Sequence, residues 1–304
     1  MSLRLFFSAF IFALIFVGCT GNNSDDVTGK PIVVVSILPQ EWFVSRIAGD
    51  RVKTLVLAGH GQNPHNYEVS PRQIAELSSA RVWVLSGAEF EISFVPKIRS
   101  MHQNLLIVDG TLGVNFRLLE DHDHDDFDDH DDHRENTGNI DRHTWLGLEP
   151  AKIMAAHIRN VLSEIDSENA DFYQAQYLSL TEEISAEFDA LRIELAPLRG
   201  RTVFVYHPSF GYFLDEFGII QEAFETGGKE PGPQTLANLI EHAREENAAA
   251  IFVQAQFPVS AARTAAAAIG AKVIPLDPLS PDWLENIRIM GSALKNALIL
   301  ETLP

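Results

Sequence analysis

The stretch SENADFYQAQYLSLTEEISAEFDALRIELAP, residues Ser167–Pro197, decides the fold. Within it Tyr173, Tyr177, Leu180, Ile184, Phe188, Leu191 and Leu195 follow one another at steps of three or four, the apolar stripe of one continuous helix. Neither Gly nor Pro interrupts it before Pro197, and at 1.5 Å per residue it would run about 45 Å. Such a helix serves either as half of a coiled-coil dimer or as a stiff connector within one chain. The stripe lasts only about four heptads and a sheet pattern resumes directly after it, so the reading is a connector in a monomer.

On either side of that helix, apolar β-branched runs alternate with helical patterns. Before it, strands are expected at Ile32–Ile37, Val52–Leu57, Val82–Leu85 and Leu105–Val108, with helices at Gln40–Ile47, Pro71–Ser79 and Glu91–Met101. Ser70-Pro71 places a capping side chain ahead of a first-turn proline. After it, strands are expected at Thr202–Tyr206, Ile219–Phe224, Ala249–Val253 and Lys272–Pro275, with helices at Thr235–Asn247, Ser260–Ile269 and Pro281–Leu298. The fold class is therefore α/β: two α/β lobes with parallel sheets, joined by a long rigid backbone helix. The halves share a rhythm, not a repeated sequence.

At 304 residues the chain has room for about two domains. Its 46% hydrophobic and 21% charged residues supply a full core and exclude wholesale disorder. A net charge of −19 repels phosphate backbones, which argues against nucleic acid as a partner. The one cysteine, Cys19, excludes an internal disulfide and any cysteine-built zinc or iron–sulfur site, so a bound metal would rest on His and carboxylate. The only long apolar run is Leu5–Val17, which excludes a multi-span membrane protein. Thirteen residues cover only about 20 Å as a helix, and with Arg4 before them and Gly18 after them they form a secretory signal peptide. The run Phe16-Val17-Gly18-Cys19 resembles a bacterial lipobox, which implies lipidation of Cys19 and attachment to the membrane through that lipid. The expected organisation is a signal peptide at 1–18, a flexible tether at 19–30, a first lobe at 31–166, the connecting helix at 167–197 and a second lobe at 198–304.

Eleven histidines fall into groups. His102, His157 and His242 lie within helical patterns and read as packing or surface residues. His122, His124, His130 and His133 lie in Glu120–Glu135, which otherwise holds ten acids, one Phe and one Arg. That composition forms no core, so 119–136 reads as a disordered loop whose imidazoles and carboxylates offer many exchangeable sites for divalent ions. His60, His65, His143 and His207 lie after expected strands or between elements, where ligands collect in open α/β sheets. Asp277 lies just past the last strand. Their spacing forms no local motif, so only the fold can gather them.

Four segments occur in order: Asn63-Pro64-His65-Asn66-Tyr67, Arg142-His143-Thr144-Trp145-Leu146, His207-Pro208-Ser209-Phe210-Gly211-Tyr212-Phe213 and Ile274-Pro275-Leu276-Asp277-Pro278-Leu279. With Gly228–Leu236, they resemble the zinc/manganese substrate-binding lipoproteins that feed metal ABC transporters, over nearly the whole mature chain. The resemblance implies His65, His143 and His207 as metal ligands, with Asp277, water or His60 as the fourth. It also implies an extracytoplasmic receptor that passes its metal to a membrane permease and its ATPase. Three imidazoles suit Zn²⁺, whereas oxygen-rich sets suit Mn²⁺. Manganese-type relatives use more carboxylates, one near Gln254, where this chain has an amide; zinc is therefore favoured over manganese or iron. A zinc-dependent hydrolase is the alternative of another class, although neither a His-Glu-x-x-His pair nor a Gly-x-Ser-x-Gly elbow is present. An adhesin or a stand-alone metal buffer is a third.

Overall fold

The central strands are nearly unbroken apolar runs, as expected of strands covered on both faces. In the first lobe β1 (Ile32–Ile37) lies between β2 (Lys53–Ala58) and β3 (Val82–Leu85), and β4 (Leu106–Asp109) pairs with β3, all parallel, in the order β2-β1-β3-β4. The second lobe repeats the plan with β5 (Thr202–Val205), β6 (Ile220–Ala223), β7 (Ala250–Val253) and β8 (Lys272–Pro275), in the order β6-β5-β7-β8. The register places Val34 beside both Leu55 and Trp83, and Phe204 beside both Glu222 and Ile251. This is a computed structural model, and it describes residues 29–119, 140–225, 232–257 and 260–298. Cys19, His122, His124, His130 and His133 lie outside the described residues, as do the signal peptide and nearly all of the 119–136 loop.

The helices are α1 (Leu38–Ala48), α2 (Pro71–Leu77), α3 (Glu89–Met101), α4 (Leu148–Ile165), α5 (Ala170–Glu194), α6 (Gly211–Asp215), α7 (Pro233–Glu245), α8 (Ser260–Ile269) and α9 (Trp283–Leu298). Ser70 caps α2 as its sequence predicts, its hydroxyl accepting from the Gln73 amide. The long central helix is α5, of 25 residues, flanked by single 3₁₀ turns at Ser167–Asn169 and Ala196–Leu198 that tighten what the sequence reads as one longer helix. Its stripe is buried at Tyr173, Leu180, Ile184, Phe188 and Leu191. The short α6, which the periodicity of the sequence does not reveal, is a single turn after β5.

Both lobes contribute to one shared core, beside which the second lobe has a smaller cluster around Phe204, Tyr206 and Phe224. Phe188 of α5 stacks near Phe217 and Trp283, with ring centroids 6.0 and 6.4 Å apart. Trp283, the first residue of α9 in the second lobe, also reaches Phe43 of α1 in the first lobe at 5.0 Å. The connector is therefore gripped from both sides. Among the described residues no helix is long and apolar enough to cross a membrane.

Candidate metal centre

Three histidines arrive at one place from three loops at the strand ends. His65 follows β2, where the Asn63 side chain accepts the His65 amide at 3.0 Å and closes a tight turn. His143 precedes the 3₁₀ turn Thr144–Leu146, at the return of the chain into α4. His207 lies just beyond β5, and Gln254, beyond β7, clamps its backbone: Gln254 Oε1 accepts from His207 N at 3.3 Å, and Nε2 donates to His207 O at 2.7 Å. The ring centroids lie 5.3 Å (His65–His143), 4.7 Å (His65–His207) and 5.1 Å (His143–His207) apart. One nitrogen from each lies within 4.8 Å of the others.

Each ring has a carboxylate behind it. His65 Nδ1 meets Glu89 Oε2 at 3.0 Å, His143 Nδ1 meets Asp141 Oδ1 at 2.8 Å, and His207 Nδ1 meets Glu225 Oε2. An ionised carboxylate only accepts, so each Nδ1 carries the proton and each Nε2 presents a lone pair. Two of those lone-pair atoms, His143 Nε2 and His207 Nε2, stand 3.3 Å apart. Two acceptors that close repel unless a cation or proton lies between them. A tetrahedral ion with Zn–N bonds near 2.0–2.1 Å separates its ligand nitrogens by about 3.3 Å.

The electrostatics favour a neutral His207 ring. Burial, then repulsion from His143 and His65, drives the His207 pKa well below the ordinary imidazole value. Burial alone would raise Asp141, but its hydrogen bonds to His143 and the charges of His143 and Arg117 hold it below the usual carboxylate range. Glu89 is lowered the same way, His65 outweighing the effect of burial. Arg117 Nη1 lies 3.3 Å from Asp141 and Nε donates to Asp215 of α6 at 2.7 Å, while Tyr212 Oη donates to Asp141 O at 2.9 Å. Second-lobe residues thus brace the carboxylate that aims a first-lobe histidine.

The cleft is lined by all three rings with Glu89, Trp145 and Phe257. Phe257 stacks on His207 with centroids 4.2 Å apart, and Trp145 packs edgewise on His143 at 5.4 Å. Asp277 does not join the three histidines: its Oδ1 accepts from Gln256 Nε2 at 2.8 Å and from Leu279 N at 3.0 Å. His60 is exposed and also lies outside the group. His157 Nε2 bonds Leu112 O, and His242 packs its ring on Phe204. The sequence reading missed Asp141, Glu225, Glu89 and Arg117. Only the Asp141-Arg142-His143 spacing carried a local signal, since the other partners are set by strand order.

A profile of the family described as zinc-uptake complex component A, periplasmic, matches residues 33–297. The chain belongs to that family. Within it, the chain is 27% identical over 262 residues to the high-affinity zinc uptake system protein ZnuA of Yersinia pestis, covering 81% of this chain and 82% of that one. It is 24% identical over 258 residues to the manganese ABC transporter substrate-binding lipoprotein PsaA of Streptococcus pneumoniae, covering 81% and 79%. A crystal structure of ZnuA superposes with a TM-score of 0.79 at 33% identity, over 88% of this chain and 99% of that one. For a zinc-uptake component A, the two-lobe plan with a central helix and a cleft at the strand ends is the shared architecture.

Proposed function

We propose that this chain is an extracytoplasmic receptor that binds one Zn²⁺ through Nε2 of His65, His143 and His207 and delivers it to a membrane permease and its ATPase. The observation that carries the reading is the pair of bare Nε2 atoms 3.3 Å apart, each fixed by a carboxylate on its far nitrogen. Neutral imidazoles suit Zn²⁺ better than the harder Mn²⁺, which prefers oxygen. The zinc ion is cargo: the three histidines hold and release it, and no covalent step follows. The reading places Asp277, whose Oδ1 accepts from Gln256 Nε2 and Leu279 N, beside the three ligands and not among them.

The remaining parts of the reading come from the sequence. Cys19 carries a lipid that holds the receptor at the membrane, 19–30 is its tether, and the 119–136 loop with His122, His124, His130 and His133 raises the local concentration of the ion. The receptor acts as a monomer. Competitive titration with Zn²⁺ and Mn²⁺ on the protein and on His207→Ala tests the assignment. Tight zinc binding that is lost in the variant is expected. A preference for Mn²⁺, or undiminished zinc binding by His207→Ala, overturns it.

A further inference from the structure

Gln256 lies two residues past Gln254 in the loop after β7, at the carboxyl end of the second sheet, where strand order reverses between β5 and β7. Its neighbour Phe257 stacks on His207 at 4.2 Å and approaches His65 at 6.2 Å, so the loop lies against two of the three rings. Gln256 itself lines the same cleft. The orientation of its amide is fixed by chemistry. Asp277 Oδ1 is an acceptor 2.8 Å away, so Nε2 faces it and Oε1 points the other way. That oxygen is buried and accepts no hydrogen bond from any described residue. Asp277 is in turn held by the Leu279 amide at 3.0 Å, so the amide plane rests on a fixed anchor. A buried acceptor without a donor is destabilising, and such groups call for an explanation.

We propose that Gln256 Oε1 is the fourth donor to the bound ion, a neutral oxygen that Asp277 orients through the Gln256 amide nitrogen. This rests on the three-histidine reading and adds to it. Three imidazoles and one amide oxygen complete a four-coordinate set without adding charge, and an amide oxygen is a competent ligand for a divalent cation. Asp277 then acts as a positioning residue.

The test is a set of zinc and manganese affinities, each by competition with a chromophoric chelator, for the full chain and four variants, with melting of the metal-free proteins as the folding control. Gln256→Leu removes the oxygen and is expected to lose about 10–100-fold in zinc affinity. Asp277→Asn keeps an acceptor for Gln256 Nε2 and is expected to bind zinc like the parent, whereas Asp277→Leu should lose as much as Gln256→Leu. The double variant Gln256→Leu/Asp277→Leu should lose no more than either, because both act through one donor. Gln256→Glu should move the zinc-to-manganese preference towards manganese, a shift that a merely structural role would not produce. Zinc binding unchanged in a folded Gln256→Leu overturns the proposal, and so does an Asp277→Asn loss equal to that of Asp277→Leu, which would make the carboxylate itself the ligand. Failure of the histidine reading has its own signature, tight binding by His207→Ala.

Discussion

Asp141→Asn perturbs the centre without touching a ligand atom. Asp141 is fully buried; its Oδ1 accepts from His143 Nδ1 at 2.8 Å and from His143 N at 3.0 Å, and its Oδ2 faces Arg117 Nη1 at 3.3 Å. An asparagine can keep the two bonds to His143 only by turning its NH₂ towards the Arg117 guanidinium, a donor against a donor. Turned the other way, its NH₂ faces the protonated Nδ1 and drives the ring towards the wrong tautomer. Either placement loses the charge that makes the imidazole basic. Loss of such an outer carboxylate costs about 10–100-fold in metal affinity, or about 1.4–2.8 kcal/mol. The metal-free variant should also melt lower, because Arg117 then keeps, among the described residues, only Asp215 as an ion-pair partner. Competition titration with a zinc chelator, alongside melting of the metal-free protein, measures both effects. A folded Asp141→Asn that binds zinc as tightly as the parent refutes the reasoning that the carboxylates set the ligand nitrogens.

Other consequences are equally direct. Phe188→Ala removes a fully buried ring shared by both lobes and should cost about 3–5 kcal/mol, lowering the melting temperature by roughly 6–20 °C; a drop of a degree or two would show that the lobes do not depend on that seam. For the metal-free protein, the depressed pKa of His207 means that the unfolded chain takes up protons below about pH 6.5 that the native one refuses. The stability it contributes is therefore present above that pH and lost as pH falls, so His207→Gln should show a flatter melting profile between about pH 7.5 and 5 than the parent. Deleting residues 120–135 should leave the tight zinc site intact and remove only weak additional binding, as counted by calorimetric stoichiometry; loss of the tight site would move the centre into that loop.

The architecture was legible because it rests on periodicity. Every expected strand falls within one or two residues of an observed one, and the stripe from Tyr173 to Leu195 marks α5. His65 and His207 were legible as loop residues after strands, and His143 as a residue between elements ahead of a helix. Their mutual approach was not, because it depends on which strand lies beside which, and neither His65 nor His207 has a partner near it in sequence. Glu225 shows the limit most clearly. It follows β6, and it reaches His207 only because β6 pairs with β5. Asp277 shows a second limit: its loop position is legible, but that its Oδ1 accepts from Gln256 Nε2 and the Leu279 amide is set by tertiary packing.

In the proposed receptor, release of the ion is constrained by the same packing. Parting the lobes as rigid bodies would break Trp145 Nε1 to Pro278 O at 2.8 Å and Trp283 Nε1 to Trp145 O at 2.7 Å, and would pull Trp283 out from between Phe188 and Phe43. Two buried hydrogen bonds at about 1 kcal/mol each and a buried tryptophan at about 3–5 kcal/mol oppose that motion. Shifting the loop from Gln254 to Phe257 breaks a different set: the Gln256–Asp277 bond, the Phe257 stack and the bonds from Gln254 to the His207 backbone and to Ser209. That clamp also holds His207, one of the three proposed ligands. Moving this short segment would release the Gln254 clamp on the His207 backbone while the core that both lobes share around Phe188 and Trp283 stays packed.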